Sequence, residues 1–120
     1  MSRILIAEDN VLNFELVRDI LESRDHQVEW ARDGSEALRM ALAGDFDLIL
    51  LDLHMPKVDG IAVLRALRGA RTGAVPKVVV VSADAMGGVP EAAAEAGADG
   101  YLAKPIEVGA LVEEIDRHLD

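Results

Sequence analysis

Five short apolar runs recur at regular intervals along this 120-residue chain: Ile4 to Ala7, Val28 to Ala31, Leu48 to Leu51, Val78 to Val81 and Tyr101 to Ala103. Four of them are continuously apolar, which is how strands buried on both faces read. Between them lie segments with helical spacing: Leu12, Leu16 and Ile20; Ala37, Leu38, Ala41 and Leu42; Ile61, Leu64 and Leu67; Val108, Leu111, Ile115 and Leu119. Each of these stripes is expected to cover a strand. The alternation predicts an α/β chain of five strands and five helices, hence a parallel sheet with right-handed crossovers. Residues 1–120 suffice for one domain with a single core, and neither a linker nor an internal repeat interrupts them.

Punctuation agrees with these boundaries. Asp33 is placed to cap the second helix and Gly44 to end it, while Gly97 ends the fourth. The fourth helix is the least regular, because Gly87 and Gly88 precede Pro90; a late start near Pro90 is predicted, with a mobile approach to it.

Composition excludes several classes of function. A formal charge of −10 and a pI near 4.6 disfavour nucleic acid and anionic lipid as direct partners. The absence of cysteine removes disulfides, thiolate metal sites and cysteine nucleophiles. No apolar run approaches the roughly 20 residues of a membrane helix, and Met1 leads straight into a strand rather than a signal peptide, so a cytoplasmic location is expected.

Ligands of doubly wound sheets bind beyond the carboxyl ends of the strands. There the chain carries Glu8 and Asp9 after the first strand, Asp52 after the third, Ser82 after the fourth and Lys104 after the fifth. Three carboxylates drawn together repel one another and either hold a proton or recruit a cation; hard oxygen donors suit magnesium. Beside such an ion the Asp52 carboxylate could attack a phosphoryl group, leaving Lys104 and Ser82 to receive its oxygens.

Taken together and in order, four motifs make the whole chain resemble response-regulator receiver domains. They are Glu8-Asp9-Asn10, the run from Asp52-Leu53-His54-Met55-Pro56 through Lys57-Val58-Asp59-Gly60, Ser82-Ala83, and Lys104-Pro105. The resemblance implies a CheY-like, flavodoxin-like fold with strand order 2-1-3-4-5 and a phosphorelay role in two-component signalling. It implies phosphorylation at Asp52 by a histidine kinase or histidine phosphotransfer protein. Mg2+, with Mn2+ as a substitute, would be held by Glu8, Asp9, Asp52 and the backbone carbonyl of His54, Glu8 acting through water because it is longer than the more frequent Asp. Lys104 would pair with the phosphoryl group, Ser82 would swing toward it, and Pro105 would follow a cis peptide bond. A Ser82–Tyr101 switch would then be read by a downstream protein on the surface of the fourth helix, fifth strand and fifth helix. Such a protein signals and assists its own phosphorylation and dephosphorylation; it is not a turnover enzyme. His54 and Asp84 stand where family members tune access of water to the phosphoryl group. Asn10 and Asn13 resemble receivers of hybrid kinases, whereas Met1 favours a native start, so a stand-alone protein and a detached receiver both remain open.

A second apolar stripe on the first helix, Val11, Phe14 and Leu21, lies away from Leu12, Leu16 and Ile20; Val11 and Phe14 are expected to dock the phosphodonor. Tyr101 serves equally well as switch or as packing. His26, His54 and His118 lack the spacing of a metal site and read as surface groups, Met40, Met55 and Met86 as gap fillers, and Asp59-Gly60 as turn chemistry. Trp30 is expected to follow the second strand, away from Asp52, so its fluorescence is expected to report the site poorly.

Other functions fit less well. Asp52-Leu53-His54 begins the Asp-x-His-x-x-Gly pattern of cobalamin domains, but Lys57 stands at the glycine position. Flavin and dinucleotide carriers want a phosphate loop where this chain has Glu8-Asp9. Aspartate phosphatases favour a second acid where His54 stands. The serious rival is a non-phosphorylated pseudo-receiver acting as a binding module, although that class usually lacks part of the acidic set or the lysine.

Overall fold

Strands and helices alternate strictly in a computed structural model that describes residues 2–55, 59–69, 76–83 and 89–119. The order is β1 (Arg3–Ala7), α1 (Val11–Ser23), β2 (Gln27–Ala31), α2 (Gly34–Ala43), β3 (Leu48–Asp52), α3 (Gly60–Gly69), β4 (Lys77–Ser82), α4 (Val89–Ala96), β5 (Gly100–Ala103) and α5 (Val108–Leu119). All strand pairs are parallel, in the order β2-β1-β3-β4-β5.

Because side chains alternate across a strand, each central strand feeds two cores. Leu5, Ile49, Leu51, Val78 and Val80 point to one face and pack with Ala37 of α2, Val63, Leu64 and Leu67 of α3, and Ala93 and Ala96 of α4. Ile4, Ile6, Leu48, Leu50, Val79 and Val81 point to the other and pack with α1 and α5. This double burial is why those runs carry no polar residue until the carboxyl end. Removing each such Leu, Ile or Val side chain from water contributes about 2 kcal/mol. On the edge strand β2, Gln27 and Glu29 are exposed, which accounts for its interrupted apolar pattern.

Caps form where the sequence places them. Asp33 accepts from the Glu36 amide at 2.8 Å, and Asn10 does the same for α1 by accepting from Asn13 at 2.9 Å. Gly97 ends α4 at a φ of +111°, where a Cβ would also strike the Arg68 side chain. The fourth helix begins at Val89, one residue before Pro90. Gly87 and Gly88 lie outside the described residues, as do Pro56, Lys57, Val58, Asp84 and Met86.

One helix faces the core differently from the expectation. The buried residues of α1 are Phe14, Val17 and Leu21, whereas Leu12 is 76% and Leu16 is 51% exposed. Two apolar stripes of legitimate spacing compete on this helix, and the one containing Phe14 wins because its ring stacks on Trp30 of β2, 4.4 Å between centroids and 7° from parallel. Phe14 therefore cannot meet a partner protein, and of the expected docking pair only Val11, 51% exposed, remains on the surface.

A Phe14→Ala substitution is expected to destabilise the fold by about 3 kcal/mol or more. Leu12→Ala should stay within about 0.5 kcal/mol of wild type. Urea denaturation of both variants checks the assignment of the two stripes.

Candidate functional site

β1 pairs with β2 on one side and β3 on the other, so the chain reverses its winding there and opens a crevice at the carboxyl ends of the strands. Glu8 and Asp9 follow β1, Asp52 ends β3, Ser82 ends β4 and Lys104 follows β5. Parallel pairing draws these ends to one rim, with Asp52 opposite Val81 and Ser82 opposite Ala103.

Asp52 is only 2% exposed, yet both of its oxygens are partnered: Oδ1 accepts from the His54 amide at 2.9 Å and Oδ2 from Lys104 Nζ at 2.6 Å. Lys104 also lies 3.1 Å from Glu8 Oε1. Glu8, 5% exposed, accepts from the Asn10 amide at 3.2 Å, while Asp9 faces solvent. One oxygen from each of Glu8, Asp9 and Asp52 falls within a sphere where all lie within 4.8 Å of one another.

One ammonium among three carboxylates leaves an excess of negative charge, and the titration of Glu8 registers it. Burial, reinforced by the hydrogen bond and charge of Asp52, pushes Glu8 up to about 7, against the opposing pull of the Asn10 amide and Lys104. Burial alone would lower Lys104, but Asp52 and Glu8 outweigh it and hold the ammonium above its ordinary value. Three hard oxygen donors, crowded and short of positive charge, fit a divalent cation of the magnesium type.

Around this centre, His54 Nε2 and Ser82 Oγ lie 2.8 Å apart, so the histidine side chain meets the hydroxyl at the end of β4. Tyr101 is half-buried and packs against the α2–α3–α4 side of the core. The Lys104–Pro105 peptide is cis. Gly60 does more than form a turn, since a Cβ there would lie 2.7 Å from Leu53 Cα; the start of α3 presses on the backbone beside Asp52. Asp59 caps that start by accepting from the Ile61 amide at 3.0 Å.

Two sequence expectations need correction here. Trp30 is not remote from the chemistry: its indole N–H donates to the Glu8 carbonyl at 2.7 Å. The predicted strand order already brings the end of β2 beside the end of β1, and that adjacency was the available signal. His118 is not a free surface group either, because its side chain is 11% exposed and sits 3.1 Å from Glu114.

A family model of the response regulator receiver domain matches residues 4–116. Over 116 residues the chain is 36% identical to the polar-differentiation response regulator DivK of Brucella ovis, covering 97% of this chain and 94% of that protein. Its fold superposes, with a TM-score of 0.88 and 32% identity over 98% and 96% of the two chains, on the receiver domain of sensor histidine kinase PA1611 from Pseudomonas aeruginosa PAO1, solved with a magnesium ion coordinated in the active-site cleft. A TM-score of 0.89 and 27% identity, over 98% and 88% of the chains, relate it to the complex of Saccharomyces cerevisiae histidine phosphotransfer protein Ypd1 with the receiver domain of Ssk1. The chain belongs to the response regulator receiver domains, the signalling modules of two-component systems.

The raised Glu8 sets a direction for stability against pH. A carboxyl whose folded value exceeds its unfolded value of 4.5 binds its proton more tightly when folded, so the contribution of Glu8 to stability is fully present below that value and is lost as pH rises through about 7. Thermal melts of metal-free protein across this window should show that decline, and Glu8→Gln should flatten it.

Proposed function

We propose that this receiver accepts a phosphoryl group on Asp52 from a histidine phosphodonor, with a magnesium ion held by Glu8, Asp9, Asp52 and the backbone carbonyl of His54. The observation that carries the reading is the Asp52 carboxylate itself: 2% exposed, paired with Lys104 at 2.6 Å, and grouped with two more carboxylates. The magnesium in the PA1611 receiver supports the cation. When bound, the ion would offset the carboxylate charge and that of the incoming phosphoryl oxygens.

The residues divide the work. An Asp52 oxygen attacks phosphorus as the P–N bond of phosphohistidine breaks, and the electron pair returns to the imidazole nitrogen of the donor. Lys104 Nζ, already bonded to Asp52, is placed to follow the charge onto a phosphoryl oxygen. The Ser82 hydroxyl, now against His54, turns toward the phosphoryl group, and Tyr101 repacks behind it. A downstream protein then reads the changed surface of α4, β5 and α5.

The phosphodonor docks on the exposed side of α1. Val11, Leu12 and Leu16 stand out from that helix, and a groove of about 330 Å³ runs from Leu16 past Ala83 to Pro105 and Ile106 beside Lys104. The Ypd1–Ssk1 complex supports a histidine phosphotransfer protein as the occupant.

Incubation with acetyl phosphate and magnesium is expected to add about 80 Da to the intact mass, and Asp52→Asn or removal of magnesium should abolish the gain. A gain that persists in Asp52→Asn overturns the reading, and a wild type that never gains mass points instead to a pseudo-receiver. For docking, the double variant Leu12→Glu, Leu16→Glu should slow transfer from phosphorylated Ypd1 by roughly fivefold or more, the factor for about 1 kcal/mol. Its labelling by acetyl phosphate should be unchanged.

A further inference from the structure

We infer that Trp30 is a positioning residue for the cation site, holding the main chain at Glu8 and Asp9 through its indole N–H. The inference rests on the cation reading above and adds to it a residue outside the four motifs. Past Ala7 the chain leaves the sheet, and Glu8 is held there from β2 by two bonds. Its amide donates to the Ala31 carbonyl at 3.0 Å, and its carbonyl accepts the Trp30 indole N–H at 2.7 Å. Both polar atoms of the Glu8 main chain are therefore fixed, including the oxygen of the peptide that leads into Asp9. Those two residues supply two of the three clustered carboxylates.

A clamp is useful only if it is itself held, and the indole is packed on by its neighbours. It stacks on Phe14, itself 7% exposed, while the Arg32 guanidinium lies over the indole at 4.6 Å and that of Arg18 over the Phe14 ring at 5.5 Å. Four side chains thus form one column, Arg32, Trp30, Phe14 and Arg18, tying β2 to α1 on either side of the acidic turn. Without the indole bond the Glu8 carbonyl could turn to water, and rotation of that peptide would re-aim Asp9. Groups that orient metal ligands from behind commonly govern affinity by factors of about 10 to 100.

Calorimetric titration of Mg2+ into the full chain, with no phosphodonor present, tests this on wild type and Trp30→Phe. Phenylalanine keeps an aromatic ring in the column and removes the N–H together with the five-membered ring that carries it. The expected result is Mg2+ binding roughly tenfold weaker in Trp30→Phe, at an unchanged circular dichroism spectrum. Equal affinity in the two proteins overturns the inference and leaves the cation reading intact, whereas a wild type that binds no Mg2+ overturns both. Should Trp30→Phe fail to fold, 3-benzothienylalanine in place of Trp30, the sole tryptophan, decides, because it keeps the bicyclic ring and lacks the N–H. Mg2+ binding weaker than wild type in that protein upholds the clamp; equal affinity overturns it.

Discussion

The ion pair between Asp52 and Lys104 is the interaction on which the rest of this structure depends. A carboxylate 2% exposed is costly unless it is paired and hydrogen-bonded, and the 2.6 Å contact joins the end of β3 to the residue after β5. Among the described residues the cation paired with Asp52 comes from the far side of the sheet, so this pairing exists only when the sheet is assembled. The apolar runs of β1, β3 and β4 serve this end, since strands buried on both faces hold their terminal residues rigidly on one rim.

The same rim is deliberately short of positive charge. Lys104 satisfies Asp52 and reaches Glu8, but a third carboxylate, Asp9, remains, while burial and the neighbouring Asp52 raise Glu8. A site in that condition favours whatever brings positive charge, whether a proton, a cation or the two in competition. Pairing of His54 with Ser82 gives the hydroxyl at the end of β4 a defined partner on the same rim.

Much of this was legible in the residues. The alternation of apolar runs with helical stripes led to the strand and helix order, since a parallel sheet leaves no polar face to disguise it. Asp33 and Gly97 marked helix ends because an N-cap acceptor and a positive φ demand particular residues, and Gly44 did so where a Cβ would lie 2.8 Å from the Phe46 ring. Less legible was the facing of α1, where Leu12, Leu16 and Ile20 compete with Phe14, Val17 and Leu21. Periodicity cannot rank two stripes of equal quality; the stacking partner Trp30, on another element, did so. The clamp on Glu8 was missed for the same reason, as an indole donor twenty-two residues away from its acceptor leaves no local pattern.

The sequence by itself determined the kind of protein: five acidic, hydroxyl and amine side chains at four strand ends, in an order that only a doubly wound sheet converts into one site. Strand ends are places that a linear pattern can mark, because hydrophobic periodicity stops there and polar chemistry starts. Tertiary structure alone decided which apolar stripe is buried, which apolar side chains stay exposed, and which side chain bonds to the acidic turn. Those outcomes depend on contacts between distant segments, where shape and available hydrogen bonds choose among residues that are equivalent along the chain.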